Sequence, residues 1–513
     1  MDTLHRIDYR TPHIKAYRPA ILSLIAGLST LLAACAELPT QHTANDIKHI
    51  IVIYAENRSF DNLYGLFPGA NGIHQAKPEQ YTQLDHDGKA FVHLPPIWAS
   101  KANKTPTIDA NLPNRPFQID SPPLNLPLSV RSRDLVHRYY QNIEQHAGGM
   151  NNRFAAISDA GGLVMGYYDG SKLPLWQWAK DYVLADNFFM GAFGGSYLNH
   201  QWLICACTPQ DAPDSKAPRA QLDPQGLLKR QPGSPRSAMQ GAPVFFDGVL
   251  TPDGYSVNTQ QPPYQPSGIP PAVGGDPRFA DANAEHQPLA PQTTQTIGDT
   301  LTAKGISWAW YAGAWSLALI DGMQAPDIKR SIIYTNQQGT HNFQAHHQPF
   351  NYYARFAPGE PDRELHLKDG DEFLAAITAG TLPQVAFYKP SGDLNEHPGY
   401  TDVLSGDQHI HSLLERIRQS PQWPNIAVIV TYDENGGFWD HVAPPKGDRW
   451  GPGTRIPAII VSPFAKRGFI DHSAYDTTSI IKFITRRFGL AALPGVRANA
   501  GDLMNAFDFK QSR

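Results

Sequence analysis

Two apolar runs that stand far apart in the chain each stop on acidic residues, and this repeated pattern constrains the fold more than any other feature. Ile50–Tyr54 runs into Glu56-Asn57 in "IIVIYAENRSFD", and Ile426–Tyr432 runs into Asp433-Glu434 in "IAVIVTYDENGGFWDHV". Nearly continuous β-branched runs of this length read as strands buried on both faces, the habit of parallel sheets, where ligands gather at the carboxyl ends of strands. A third run, Ile456–Val461, and helical patterns at Ile410–Gln419 and Thr478–Phe488 complete an alternation of strand and helix. That alternation predicts an α/β fold with a largely parallel central sheet flanked by helices.

If the two strand ends are neighbours, up to three carboxylates and one amide oxygen meet at one sheet edge. Unpaired, they repel, so positive charge is expected among them. A divalent cation is the simplest source, because hard cations take carboxylate and amide oxygens; calcium, manganese and magnesium suit such a set. The bland alternative is two independent solvated loops.

The rest of the chain sets the boundaries. Residues 209–297 are rich in Pro, Gln, Gly and Asp with little periodicity and read as a loop insertion: a lid, a binding loop or a disordered segment. The chain has 513 residues, a net charge of −4 and scattered acidic groups, which excludes the basic footprint of a dedicated nucleic-acid partner. Lys15 and Arg18 precede the uncharged "PAILSLIAGLSTLLAACA", the layout of a signal peptide, with a single membrane-spanning anchor as the alternative. Leu32-Ala33-Ala34-Cys35 is similar to a bacterial lipobox, so residues 1–35 are expected to direct export, to the periplasm or outer membrane as a lipoprotein anchored through Cys35, or to secretion. Residues 36–513 then form one catalytic domain. Cys205 and Cys207 have the wrong spacing for a C-x-x-C redox pair and read as two buried thiols, with a disulfide as the alternative.

A nucleophile is sought in "GAFGGSYLNHQW". Ser196 follows Gly194-Gly195, which permit a tight turn and close approach to main-chain N–H groups. The lipase elbow G-x-S-x-G is excluded by Leu198.

The segments "ENRSFDNLYG", "GGSYLNH", "NEHPGY", "TYDENGGFWDHV" and "GTRIPAIIVSPFAKRGFIDHSAYDTTSIIKFI", in this order, resemble the bacterial phosphoesterase family of phospholipases C and acid phosphatases, related in fold to alkaline phosphatase. The resemblance implies an alkaline-phosphatase-like sandwich with a metal-bound nucleophile in a pocket of histidines. Its ligands fall on Glu56, Asn57, Asp433 and Glu434, with Ser196 as ligand and nucleophile. Its histidines fall on His137, His397 and one of the pair His346-His347, of which His347 is preferred because it directly precedes Gln348-Pro349. His49, His74, His409 and His411 read as structural. Zinc joins the candidate metals because related folds use it.

Implied substrates are a phosphomonoester or a phospholipid. The family's serine-type members include acid phosphatases, which leans the reading toward broad phosphoester hydrolysis, with a choline-phospholipid-specific phospholipase C as the alternative. Protonated histidines binding oxyanions would fit activity at acid pH. Trp308, Trp310 and Tyr311 in "GISWAWYAGAW" either stack on a choline or belong to the core. A sulfatase-like hydrolase would need a C/S-x-P-x-R motif that "GGSYLNH" lacks, and a non-catalytic surface lipoprotein should have lost a site residue, whereas all five positions are filled.

Overall fold

The computed structural model describes residues 42–335, 337 and 339–510. The expected signal segment and Cys35 lie outside these residues, and no described helix is long and apolar enough to cross a membrane.

An eight-stranded sheet organises the molecule: β1 (His49–Ala55), β2 (Val183–Ala185), β3 (Trp308–Ala312), β4 (Leu367–Asp369), β5 (Val385–Lys389), β6 (Ile426–Tyr432), β7 (Ala458–Val461) and β8 (Phe469–Asp471). Their spatial order is β8-β2-β7-β6-β1-β5-β3-β4. All neighbouring pairs are parallel except those made by β7, which runs antiparallel to both β6 and β2. Every residue of β6 is buried, as are all of β1 after His49. This is why both read as uninterrupted apolar runs.

Helices cover the sheet in two groups. Pro174–Asp181 packs on α3 (Val403–Gln419), which also meets α2 (Gly370–Ala379); α1 (Ser196–Cys205) packs on α4 (Thr477–Phe488) and on Ile297–Ala303. α3 begins seven residues before the predicted start because the Asp402 side chain caps it through the Ser405 N–H. α4 likewise starts one residue early, capped by Asp476.

Register places the site. β1 lies between β5 and β6, with Ala55 opposite Tyr432 and Ile53 opposite Tyr388. Glu56, Asp433 and Lys389 therefore emerge side by side at one carboxyl edge.

One expectation changes and another narrows. Cys205 and Cys207 form a disulfide, not two thiols: α1 ends at Cys205, and Ala206 in the left-handed conformation (φ 48°) turns the chain so that the Cα atoms lie 5.1 Å apart. Residues 209–297 have almost no regular structure before Ile297, yet they are packed, with Leu250, Ser256, Val257 and Ser267 fully buried. The segment is pinned by Arg138 on Asp247, by Arg449 on Asp253 at 2.7 Å, and by the Tyr139 N–H donating to Asn258 Oδ1 at 3.1 Å.

Candidate active site

Two strand-end turns lock against each other to build the floor. Asn57 takes the left-handed conformation (φ 64°), uncommon outside glycine and frequent at functional sites. Its N–H donates to Asp433 Oδ1 at 3.0 Å. Gly436 (φ 61°) packs so tightly on this turn that a Cβ there would lie 2.3 Å from the Asn57 carbonyl. The third part is the start of α1. Gly194 (φ 100°) lets the chain pass over Tyr139, where a Cβ would meet the backbone at 2.9 Å, and Gly195 caps the helix so that Ser196 holds its first position, at the positive end of the helix dipole.

These pieces converge on Ser196. Its hydroxyl donates to Asn57 Oδ1 at 3.0 Å and lies 3.5 Å from Glu434 Oε1. Glu56, Asn57, Asp433 and Glu434 are completely buried, and Ser196 is 5% exposed at the base of a cavity of about 410 Å³. His137, His346 and His397 are on the cavity wall with Tyr334, Gln344 and Tyr400, and the 209–297 segment supplies Val257, Asn258 and Thr259. His347, expected on this wall, is behind it: its Nε2 sits 2.7 Å from Glu56 Oε1, and His346 takes the place facing the cavity.

The model of the Phosphoesterase family matches residues 47–491. The chain belongs to this family of phosphoric ester hydrolases. Among its relatives, the non-hemolytic phospholipase C of Burkholderia pseudomallei is 25% identical over 91% of this chain and 60% of its own length. Phospholipase C B of Mycobacterium tuberculosis is 23% identical over 90% of this chain and 78% of its own. The chain thus spans less than two thirds of the first of these relatives. Among solved structures, a protein of the alkaline phosphatase superfamily from Vibrio parahaemolyticus is similar at 10% identity and a TM-score of 0.32, covering 75% of each chain.

Electrostatics of the cavity floor point to missing positive charge. Burial, with Glu56 beside it, pushes Asp433 up to about 7, and burial with Asp433 beside it raises Glu434 well above the carboxylate range. Asp433 Oδ2, His200 Nε2, His347 Nδ1 and both ring nitrogens of His346 have no hydrogen-bond partner although they are buried. Glu56, His200 and Asp433 bring ligand atoms within 4.8 Å of one another, as do Glu56, His346 and His347. A donor set of this kind, rich in oxygen and short of protons, fits a divalent cation.

The histidines divide by environment. Burial alone would lower His137, but the Glu434 carboxylate, with Asp134 behind it, pushes the imidazole up to about 9. His137 Nδ1 donates to the Leu135 carbonyl at 2.6 Å, which turns Nε2 toward Glu434. Burial pushes His397 and His347 down to about 3 and also lowers His346, the opposite direction from His137. His397 donates from Nδ1 to the Pro398 carbonyl and accepts from Asn57 Nδ2 at 3.0 Å.

Sequence reasoning passed over two groups. His200 lies one turn after Ser196 on the same face of α1, with Nδ1 3.7 Å from Asp433 Oδ2; its i, i+4 spacing from the serine was the available signal. Lys389 ends β5 in the manner that Glu56 follows β1, 3.2 Å from Glu56 Oε1. Trp308, Trp310 and Tyr311 are buried in β3 and none lines the cavity, the core alternative. His49, His409 and His411 bond to the Pro383 carbonyl, the Tyr388 hydroxyl and the Trp178 indole, away from the wall.

Proposed function

We propose that this chain hydrolyses phosphoric esters with Ser196 as nucleophile and with Glu56, Asn57, Ser196, Asp433 and Glu434 as the ligands of a divalent cation. The observation that carries the reading is the Ser196 hydroxyl, 3.0 Å from Asn57 Oδ1 and 3.5 Å from Glu434 Oε1 at the base of a histidine-walled cavity. When bound, the cation supplies Lewis-acid stabilisation and lowers the pKa of a coordinated hydroxyl. Ser196 attacks phosphorus and takes the phosphoryl group while the leaving oxygen departs; water then cleaves the phosphoserine. His137, the one raised histidine, holds nonbridging oxygens or protonates the leaving oxygen. His346 and His397 face the phosphoryl group, and His347 positions Glu56.

A cavity of about 410 Å³ accommodates a phosphoryl group with one compact substituent, the fit that broad phosphoester hydrolysis needs. The second reading is a choline-phospholipid phospholipase C. It is favoured by relatives named phospholipase C, and by Asp134, Tyr334 and Tyr400 on the wall, an anion and two rings suited to a quaternary ammonium. Comparing turnover of an aryl phosphate with that of its phosphocholine diester separates the two, and failure to cleave either would reject both. Export and anchoring through Cys35 belong to the same proposal and rest on the N-terminal sequence; Cys35→Ser should release the protein from membranes with its specific activity unchanged.

A further inference from the structure

Lys389 is completely buried, which is costly for an ammonium unless opposite charge meets it. Its Nζ lies 3.2 Å from Glu56 Oε1 and 3.4 Å from the Ala55 carbonyl, with the Tyr54 ring centroid at 5.7 Å. It is held there by the sheet: Lys389 is the last residue of β5, paired with Ala312 of β3, and its carbonyl accepts from the Gly313 N–H at 2.8 Å. Among the described residues, no other Lys or Arg forms an ion pair with Glu56, Asp433 or Glu434; their remaining ionic partners are histidines.

Charge balance gives this position a consequence. The three carboxylates carry three negative charges when ionised. One ammonium answers the charge on Glu56 Oε1, the same oxygen that His346 Nε2 and His347 Nε2 face at 3.7 and 2.7 Å, so it sits where a second divalent ion would have to bind. The imidazoles of His346 and His347 near Glu56 would otherwise offer a second cation the nitrogen donors it needs. We propose that Lys389 is a built-in second cation of the cluster, a positioning residue that holds Glu56 from the side opposite Asp433 and limits the site to one divalent ion. This rests on the cation reading of the strand-edge cluster.

The test is Mn²⁺ binding by purified protein stripped of metal, read as ions per chain by elemental analysis and as affinity by calorimetry. Wild type should take up one ion. Lys389→Met removes the charge and keeps the length, and it should bind the ion at least about tenfold more tightly or accept a second one, because a fixed positive charge no longer opposes it. Lys389→Arg should restore one ion at wild-type affinity, which a packing role alone would not do. If Lys389→Met does not fold, Lys389→Gln serves with the same expectation. One ion at unchanged affinity in the neutral variant, or loss of the ion, would overturn the proposal while the cation site stands. A wild-type protein that takes up no Mn²⁺ would overturn the cation site and this inference with it.

Discussion

The two acidic strand-end motifs build two buried clusters that end in opposite states. Asp61, five residues beyond Glu56, meets Asp440 and His441, which follow the Asp433 turn. There Arg455 donates from Nε to Asp440 at 3.0 Å, from one terminal nitrogen to Asp61 at 3.0 Å, and from the other to the carbonyls of Asn71 and Asp186, both at 2.7 Å. His441 Nδ1 donates to Asp61 Oδ2 at 2.6 Å. No side-chain atom of these four residues is left without a partner. In the first cluster, around Ser196, buried oxygens and ring nitrogens stay unpartnered. Burial and acidity are common to both. What separates a structural cluster from a reactive one is whether protein groups have already answered its charge.

Substitutions should therefore fail differently in the two clusters. The largest effect is expected from Ser196→Ala, which should lower phosphoester turnover by about 10⁴-fold or more with an unchanged melting temperature. Retention of substantial turnover would move the nucleophile from Ser196 to a water. Next, Asp433→Asn should remove divalent-ion uptake and lower activity by about a thousandfold. Circular dichroism should be preserved, since this carboxylate carries an unanswered charge that the fold gains by losing. In the satisfied cluster the order reverses. Arg455→Met should cost about 3–5 kcal/mol in denaturant unfolding, because it strands Asp61 and Asp440 as buried charges. Activity per folded molecule should change far less than stability, and a stable but inactive Arg455→Met would erase the distinction.

The smallest effect sharpens the comparison from a third place. Asp407 is buried on α3 with Oδ2 unpartnered, and burial pushes it up to about 7. In the unfolded chain its pKa is about 3.9, so between these values the native state binds the extra proton. Stability should fall as pH rises through that window. Asp407→Asn should make the slope of unfolding free energy against pH shallower there, and an unchanged slope would place the titration elsewhere.

Strand positions were legible because a strand buried on both faces has to be apolar along its whole length, and β6 was bounded to the residue. The meeting of Glu56, Asp433 and Glu434 was legible because buried strands end on them, whereas the roles of Asn57 and Ser196 came only with the family resemblance. Legibility stopped where partners come from distant segments. Which of His346 and His347 faces the cavity depends on the short turn at Ala345–His347, which has no periodicity to read. Arg455 and Lys389 sit in runs where a lone cation reads as surface. The packed state of residues 209–297 escaped notice because its anchors, Asp247, Asp253 and Asn258, pair with Arg138, Arg449 and Tyr139 elsewhere in the chain. β7 runs antiparallel to both of its neighbours, a direction that hydrophobic pattern does not encode.

The most direct test of the reactive cluster is to quench the wild-type protein in acid during turnover of a ³²P-labelled phosphomonoester and map the labelled peptide. Label is expected on the peptide that carries Ser196 in "GGSYLNH", absent in Ser196→Ala and absent when the metal-stripped protein is used. Efficient turnover with no covalent label at any quench time, or label on another residue, would contradict it.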